Sequence, residues 1–125
     1  MSFNSIFNHN ELIGTALQAA SVRNLVINNN LANNDVPGFK KNVVSFEELL
    51  EDELQSAELT GQVNLDRLTP RVVPSLENYS YRLDGNNVNI ETEMVELYKN
   101  ASKYDVMAQS VINNYRRINL VITGR

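Results

Sequence analysis

The chain has 125 residues, a formal net charge of −4 and no cysteine. That length suits one domain, 1–125. The acidic balance gives no footprint for nucleic acid, and the missing thiols exclude disulfides, thiolate catalysis and any cysteine-ligated metal. Five glycines and three prolines leave little turn material for a many-stranded fold, so helix is the expectation. The Met1 end, "MSFNSIFNHNE", lacks the basic residues and continuous apolar core of a cleavable secretion signal. No later run reaches the roughly 18 apolar residues of a membrane span.

The first predicted helix covers 8–34. Asn8 is placed as its N-cap, Glu11 follows three residues on, and Phe7 is placed to pack on Leu12. Ile13, Leu17, Ala20, Asn24, Ile27 and Leu31 then recur at alternating spacings of 4 and 3, which keeps one face turned to a partner helix. The one polar member, Asn24, fixes register if it lies on the seam and is solvated if it lies at the edge. Five of the chain's 19 asparagines crowd into 28–34, and Val36-Pro37-Gly38 then breaks the chain. The segment 35–44 reads as a joint. Pro37 and Gly38 suit the centre of a type II turn, which sends Phe39 and Lys40 back toward a partner. Amides such as Asn30 and Asn33, able to donate and accept, are expected to satisfy the helix's last carbonyls and to bond neighbouring subunits.

A second helix is expected over 45–59. Ser45 and Glu48 form a capping box with Val44 and Leu49 as its staple, and Phe46, Leu50, Leu54 and Ala57 share a face. The other face is acidic. From Glu47 to Asp66 there are seven carboxylates and no Lys or Arg, a pattern of solvated faces and also of docking sites for a basic partner. Turn signals then dominate 60–85, which reads as a poorly structured loop with minor β content in "YSYRL", 79–83.

The last segment, 89–123, carries the strongest pattern. Ile90, Met94, Leu97, Ala101, Tyr104, Ala108, Val111, Tyr115, Ile118 and Ile122 alternate spacings of 4 and 3 without a miss. Asn89 is placed as N-cap, Glu91 and Glu93 favour the start of the helix dipole, and Arg116, Arg117 and Arg125 favour its end. The fold class is therefore all-α: long N- and C-terminal helices in a coiled-coil-like hairpin, with a short middle helix and a loop. Ile13, Leu17, Ile27 and Leu31 are expected to pair with Met94, Leu97, Tyr104, Val111, Tyr115 and Ile118, within the subunit or between neighbours. Two helices cover each other incompletely, and their exposed flanks are expected to be contact surfaces.

No seat for catalysis is visible. The only histidine, His9, has no second His or Cys to complete a metal or catalytic site. There is no Gly-rich phosphate loop or nucleophile elbow. "DGNNVNIE", 84–91, fails as a calcium loop, with Val88 where an oxygen ligand is needed. No cofactor or small-molecule substrate is expected.

"NNLANNDVPGFK", 29–40, closely resembles the N-terminal motif of bacterial flagellar axial proteins, the rod, hook and hook-associated subunits, which usually reads Asn-Asn-Ile-Ala-Asn-Ala-Asn-Thr-Pro-Gly-Tyr-Lys. Asn29, Asn30, Ala32, Asn33, Pro37, Gly38 and Lys40 agree, Leu31 and Phe39 are conservative, and Asn34, Asp35 and Val36 depart. "DGNNVNIETEMVELYKNASKYDVMAQ" and the closing "GR" look like the short proximal rod subunits of that family, of which there are two neighbouring kinds. The resemblance implies a structural subunit of the basal-body rod, exported unfolded through the flagellar type III apparatus without a cleavable signal. It implies self-assembly through terminal helices into a tube that transmits torque and encloses the export channel. Implied partners are other copies, other rod proteins, the export gate and a small basal-body adaptor, with residues 33–42, including Pro37, Gly38 and Phe39, making the joints. A cytoplasmic helical adaptor that recruits a basic partner through its acidic helix is the alternative; it leaves the Pro-Gly motif without a role.

Overall fold

The computed structural model describes the backbone of residues 3–76, 80 and 82–124, with side chains from Phe7 onward in that range. Among them the chain runs α1 (Phe3–Ala32), β1 (Asn42–Ser45), α2 (Glu47–Thr60), a single 3-10 turn (Leu65–Arg67), β2 (Arg71–Pro74) and α3 (Ile90–Thr123). At about 1.5 Å per residue, α1 and α3 extend roughly 45 and 50 Å. They pack together antiparallel: Asn30 meets Glu93, Ala20 meets Asn100 and Asn10 meets Asn114.

α1 serves two neighbours. One flank faces α3. The adjoining flank, with buried Ala19 and half-buried Leu12, Ala16, Val22 and Val26, packs on Val44, Phe46, Leu68, Leu49, Leu50 and Leu65. This small core lies where the sheet, α2 and the 3-10 turn meet α1, and Leu68 in it is wholly buried. A hairpin alone has no enclosed interior, so this cluster anchors one half of the pair.

Several expectations give way here. α1 begins before Asn8, because no breaker precedes that residue; Asn8 lies within the helix and is exposed, and Phe7 is 48% exposed rather than stapled to Leu12. The capping box is absent. Ser45 ends β1, Phe46 takes the N-cap position of α2 without a side-chain bond, and Ser45 Oγ meets Glu48 Oε2 at 3.2 Å instead of a backbone N–H. Leu54 is exposed, and Glu53 is buried on that helix in its place, accepting from Asn64 N at 2.7 Å with Arg67 3.9 Å away.

Strands form at β1 and β2, antiparallel with Val43 opposite Val73 and Val44 opposite Val72. The β-branched Val-Val pairs explain the choice. Pro70 precedes β2 and Pro74 ends it, and Pro74 has no N–H to offer, which blunts the strand's open edge. "YSYRL" contains Tyr79 and Tyr81, which lie outside the described residues. Asn89 caps α3, its side chain accepting from Glu91 and Thr92 N–H. Arg116 and Arg117 fall short of the last turn, where a dipole effect would act, and Arg125 lies outside the described residues.

Candidate functional site

Two features stand out: a polar joint at the end where α1 stops and α3 starts, and the seam between the two helices.

At the joint, Phe39 N donates to Val36 O across Pro37 and Gly38, and Gly38 has φ +72°, the geometry of a type II turn. The loop 84–88 lies directly against this turn. Gly38 N donates to Asp84 O at 2.8 Å, and a Cβ on Gly85 would sit 3.6 Å from the Gly38 Cα. Asn86, 1% exposed, holds the two together. Its Nδ2 reaches the carbonyls of Asn33, Asn34 and Val36 at 3.0, 2.8 and 2.8 Å, and its Oδ1 accepts from Val88 N. Asn33 O and Val36 O also accept from Val36 N and Phe39 N, so the turn beyond α1 is bonded within itself and from the far side of the sequence. Asn87 Oδ1 accepts from Lys41 N at 2.7 Å, Lys40 Nζ donates to Gly85 O at 2.6 Å, and Arg82 donates to Asn34 O at 2.9 Å.

Asn30 completes the knot. Its Nδ2 donates to Asn42 O at 2.8 Å and to Glu93 Oε2 at 3.1 Å, while its Oδ1 accepts from Asn42 N at 3.0 Å. The side-chain amide therefore pairs with β1 as a backbone strand would, and ties it to α3. Glu93 is also 3.7 Å from Lys41 Nζ, with both side chains nearly buried. Asn30 and Asn33 spend their amides within the chain, Asn33 Nδ2 on Asn29 O at 2.8 Å, while Asn28, Asn29, Pro37 and Gly38 are exposed. The sequence reading missed Asn86 and Asn87. The signal for them was the Asp84-Gly85-Asn86 turn chemistry, with Asn86 N bonded to Asp84 Oδ1.

Along the seam, the face of α3 that meets α1 is rotated from the stripe of ten. Leu97, Val111 and Ile118 lie on it half-buried, with Tyr104 43% exposed. The column beside them that turns to α1 is Glu93, Asn100, Met107 and Asn114, again at seven-residue spacing. Asn100 Nδ2 donates to Ala20 O at 2.8 Å, and Asn114 Nδ2 to Asn10 Oδ1 at 2.9 Å. Asn100 Oδ1 and Asn10 Nδ2 are buried without a partner. The other half of the stripe, Met94, Ala101, Ala108, Tyr115 and Ile122, lies on the adjoining flank, Met94 and Ala108 half-buried and Tyr115 and Ile122 51% and 70% exposed. On α1, Ile27 is buried and Ile13, Leu17 and Leu31 are half-buried. Asn24 does not cross the seam; its Oδ1 accepts from Asn28 within α1, and Asn10, Asn30, Asn100 and Asn114 make the crossings.

The acidic helix is partly occupied within the chain: Glu47 bonds Arg23, Glu48 bonds Ser45 and Glu53 is buried. No group of three or more potential metal ligands occurs among the described residues, and no helix among them is long and apolar enough to cross a membrane.

No family model matches the chain. Curated relatives do. The flagellar basal body rod protein FlgB of Bacillus subtilis is 32% identical over 117 residues, covering 87% of this chain and 88% of the relative. FlgB of Borreliella burgdorferi is 30% identical over 121 residues, covering 85% and 89%. FlgB of Buchnera aphidicola is 28% identical over 134 residues, covering 97% and 96%. These relatives are named for a structural part and not for a reaction. Of the two short rod types, FlgB and FlgC, these relatives are the first. With identity at this level along nearly the whole length, the chain belongs to the FlgB family of flagellar basal body rod proteins.

Proposed function

We propose that the α1–α3 pair is the coiled-coil-like hairpin of a self-assembling subunit, one that builds the proximal rod of the flagellar basal body, carries motor torque and lines the export channel. The chain is a structural component of that rod. Its partners are other copies of itself, other rod proteins, the basal-body adaptor FliE and the export gate, and it reaches them through the flagellar export apparatus. One observation carries this reading: Leu97, Val111 and Ile118 of an unbroken apolar stripe on α3 are half-buried, while Tyr115 and Ile122 of the same stripe are 51% and 70% exposed. A helix whose apolar stripe is wider than its partner helix covers is built to be covered by something else as well.

Leu97→Asp or Val111→Asp tests it, because each carboxylate enters the seam unpaired at a cost of several kcal/mol. Basal bodies from cells carrying either variant in place of the native chain should lack the rod by electron microscopy, and the cells should not swim. Motile cells with complete rods overturn the seam assignment. Exchanging exposed Glu51, Asp52 and Glu58 for Gln should leave the rod intact; an adaptor working through that face would lose its partner instead.

A further inference from the structure

One edge of the two-stranded sheet is left unfinished. Ser75 N donates to Lys41 O, so Lys41, Val43 and Ser45 turn their backbone groups to β2, and alternation turns those of Asn42 and Val44 the other way. On this second edge the Asn30 amide takes the place of a third strand at Asn42, accepting from its N–H and donating to its C=O. Val44, two residues further on and only 8% exposed, has no such partner among the described residues. Backbone groups left unpaired at a buried residue are uncommon, because leaving them so costs about as much as losing a hydrogen bond.

Beside this edge lies a cleft of about 380 Å³, lined also by Val26 and Ile27 of α1 and by one face of α3. Four cations line it, and three have an acid at hand: Arg23 bonds Glu47, Lys99 bonds Glu96, and Lys41 is 3.7 Å from Glu93. The fourth, Lys103, is exposed and has no ion pair among the described residues. Asn100, one turn before it on α3, lines the same cleft and is 3% exposed. Its Nδ2 is taken by Ala20 O, and its Oδ1 is buried without a partner. The cleft thus joins an open strand edge, a buried acceptor and an unanswered positive charge.

We propose that this cleft takes a short extended segment of another protein, bearing a carboxylate side chain, as a third strand on β1. The segment's backbone pairs with Val44 N–H and C=O, one of its N–H groups reaches Asn100 Oδ1, and its carboxylate meets Lys103. An extended chain presents donors and acceptors at the spacing of a strand edge, and Lys103 selects the sign of its charge. β1 has four residues, and at roughly 3.3 Å per residue the occupant matches it at about three or four. On α3 the cleft ends at Lys103, short of exposed Tyr115 and Ile122, so this contact stands or falls separately from the joining of copies along the helices.

The full-length chain, isotope-labelled for NMR, is titrated with the capped peptide Val-Glu-Val-Glu-Val, with Val-Lys-Val-Lys-Val, and with the acidic peptide N-methylated at every residue. In the free chain Val44 N–H should exchange faster than the N–H groups of Val43 and Ser45, which face β2. The acidic peptide should bind saturably, shift Val44, Asn100 and Lys103, and slow Val44 exchange about tenfold. The basic peptide should bind about tenfold more weakly, and the N-methylated one not at all. Lys103→Gln should weaken the acidic peptide about threefold and Asn100→Leu about fivefold, while Arg71→Gln, exposed on β2, leaves it unchanged. Equal binding of the acidic and basic peptides, undiminished binding of the N-methylated one, or shifts confined to Val72 and the rest of β2 overturn the proposal. So does protection of Val44 that grows with the concentration of the chain alone, which makes the occupant a second copy. Complete displacement of the peptide by inorganic phosphate at constant ionic strength makes the cleft an anion site and overturns it as well.

Discussion

The two ends of the helix pair are built on different principles. Where α1 stops and α3 starts, the sheet, α2 and the loop 84–88 gather around them, and Asn30, Asn86 and Asn87 bind backbone at Val36, Lys41 and Asn42. At the other end the described residues show one crossing, Asn114 to Asn10, and Leu120, Val121 and Ile122 stand 55%, 75% and 70% exposed. The first end is specified by hydrogen bonds to backbone, which fix position whether or not a partner is present. The second has apolar surface that the described residues leave uncovered, which leaves its order dependent on neighbours.

Breaking the knot should have the largest effect. Asn86→Ala removes the donor shared by three carbonyls and the acceptor of Val88 N, so the isolated chain should lose ~3 kcal/mol or more in thermal or urea unfolding. A loss under ~1 kcal/mol would mean that the joint does not hold this end. Gly38→Ala keeps every bond but forces a side chain into φ +72°, and should cost ~1 kcal/mol by the same measurement. Asn100→Leu should lie within about 1 kcal/mol of neutral, since it deletes a buried, unpartnered Oδ1 along with the bond to Ala20. Ile122→Gln should leave stability of the isolated chain within about 0.5 kcal/mol yet lower the yield of complete rods in purified basal bodies.

The sequence showed the two long terminal helices and the short middle one because apolar periodicity and caps are local signals. It also marked the Pro37-Gly38 turn, since only glycine takes positive φ without strain. It could not show which way the α3 stripe faces. Spacing identifies residues that share a face, and Met94 and Tyr115 do share one with Leu97 and Val111; which flank meets α1 was settled by Glu93, Asn100 and Asn114, polar residues that a search for apolar repeats passes over. The strands were hidden because each is only four residues long and their pairing spans the whole of α2. The second apolar flank of α1, through Leu12, Ala16, Ala19 and Val26, was present in the sequence as a weaker repeat beside the seam. Asn86 acts at long range, on carbonyls about 50 residues away, and no window of sequence contains both partners.

Amide hydrogen exchange, read residue by residue on the isolated chain and on the same chain in purified basal bodies, tests the contrast between the two ends most directly. Residues 27–42 and 86–93 should be protected in both states, while 110–123 should exchange fast in the isolated chain and become protected on assembly. Equal protection along α3 in the isolated chain, or no gain at 110–123 in the rod, would contradict the account.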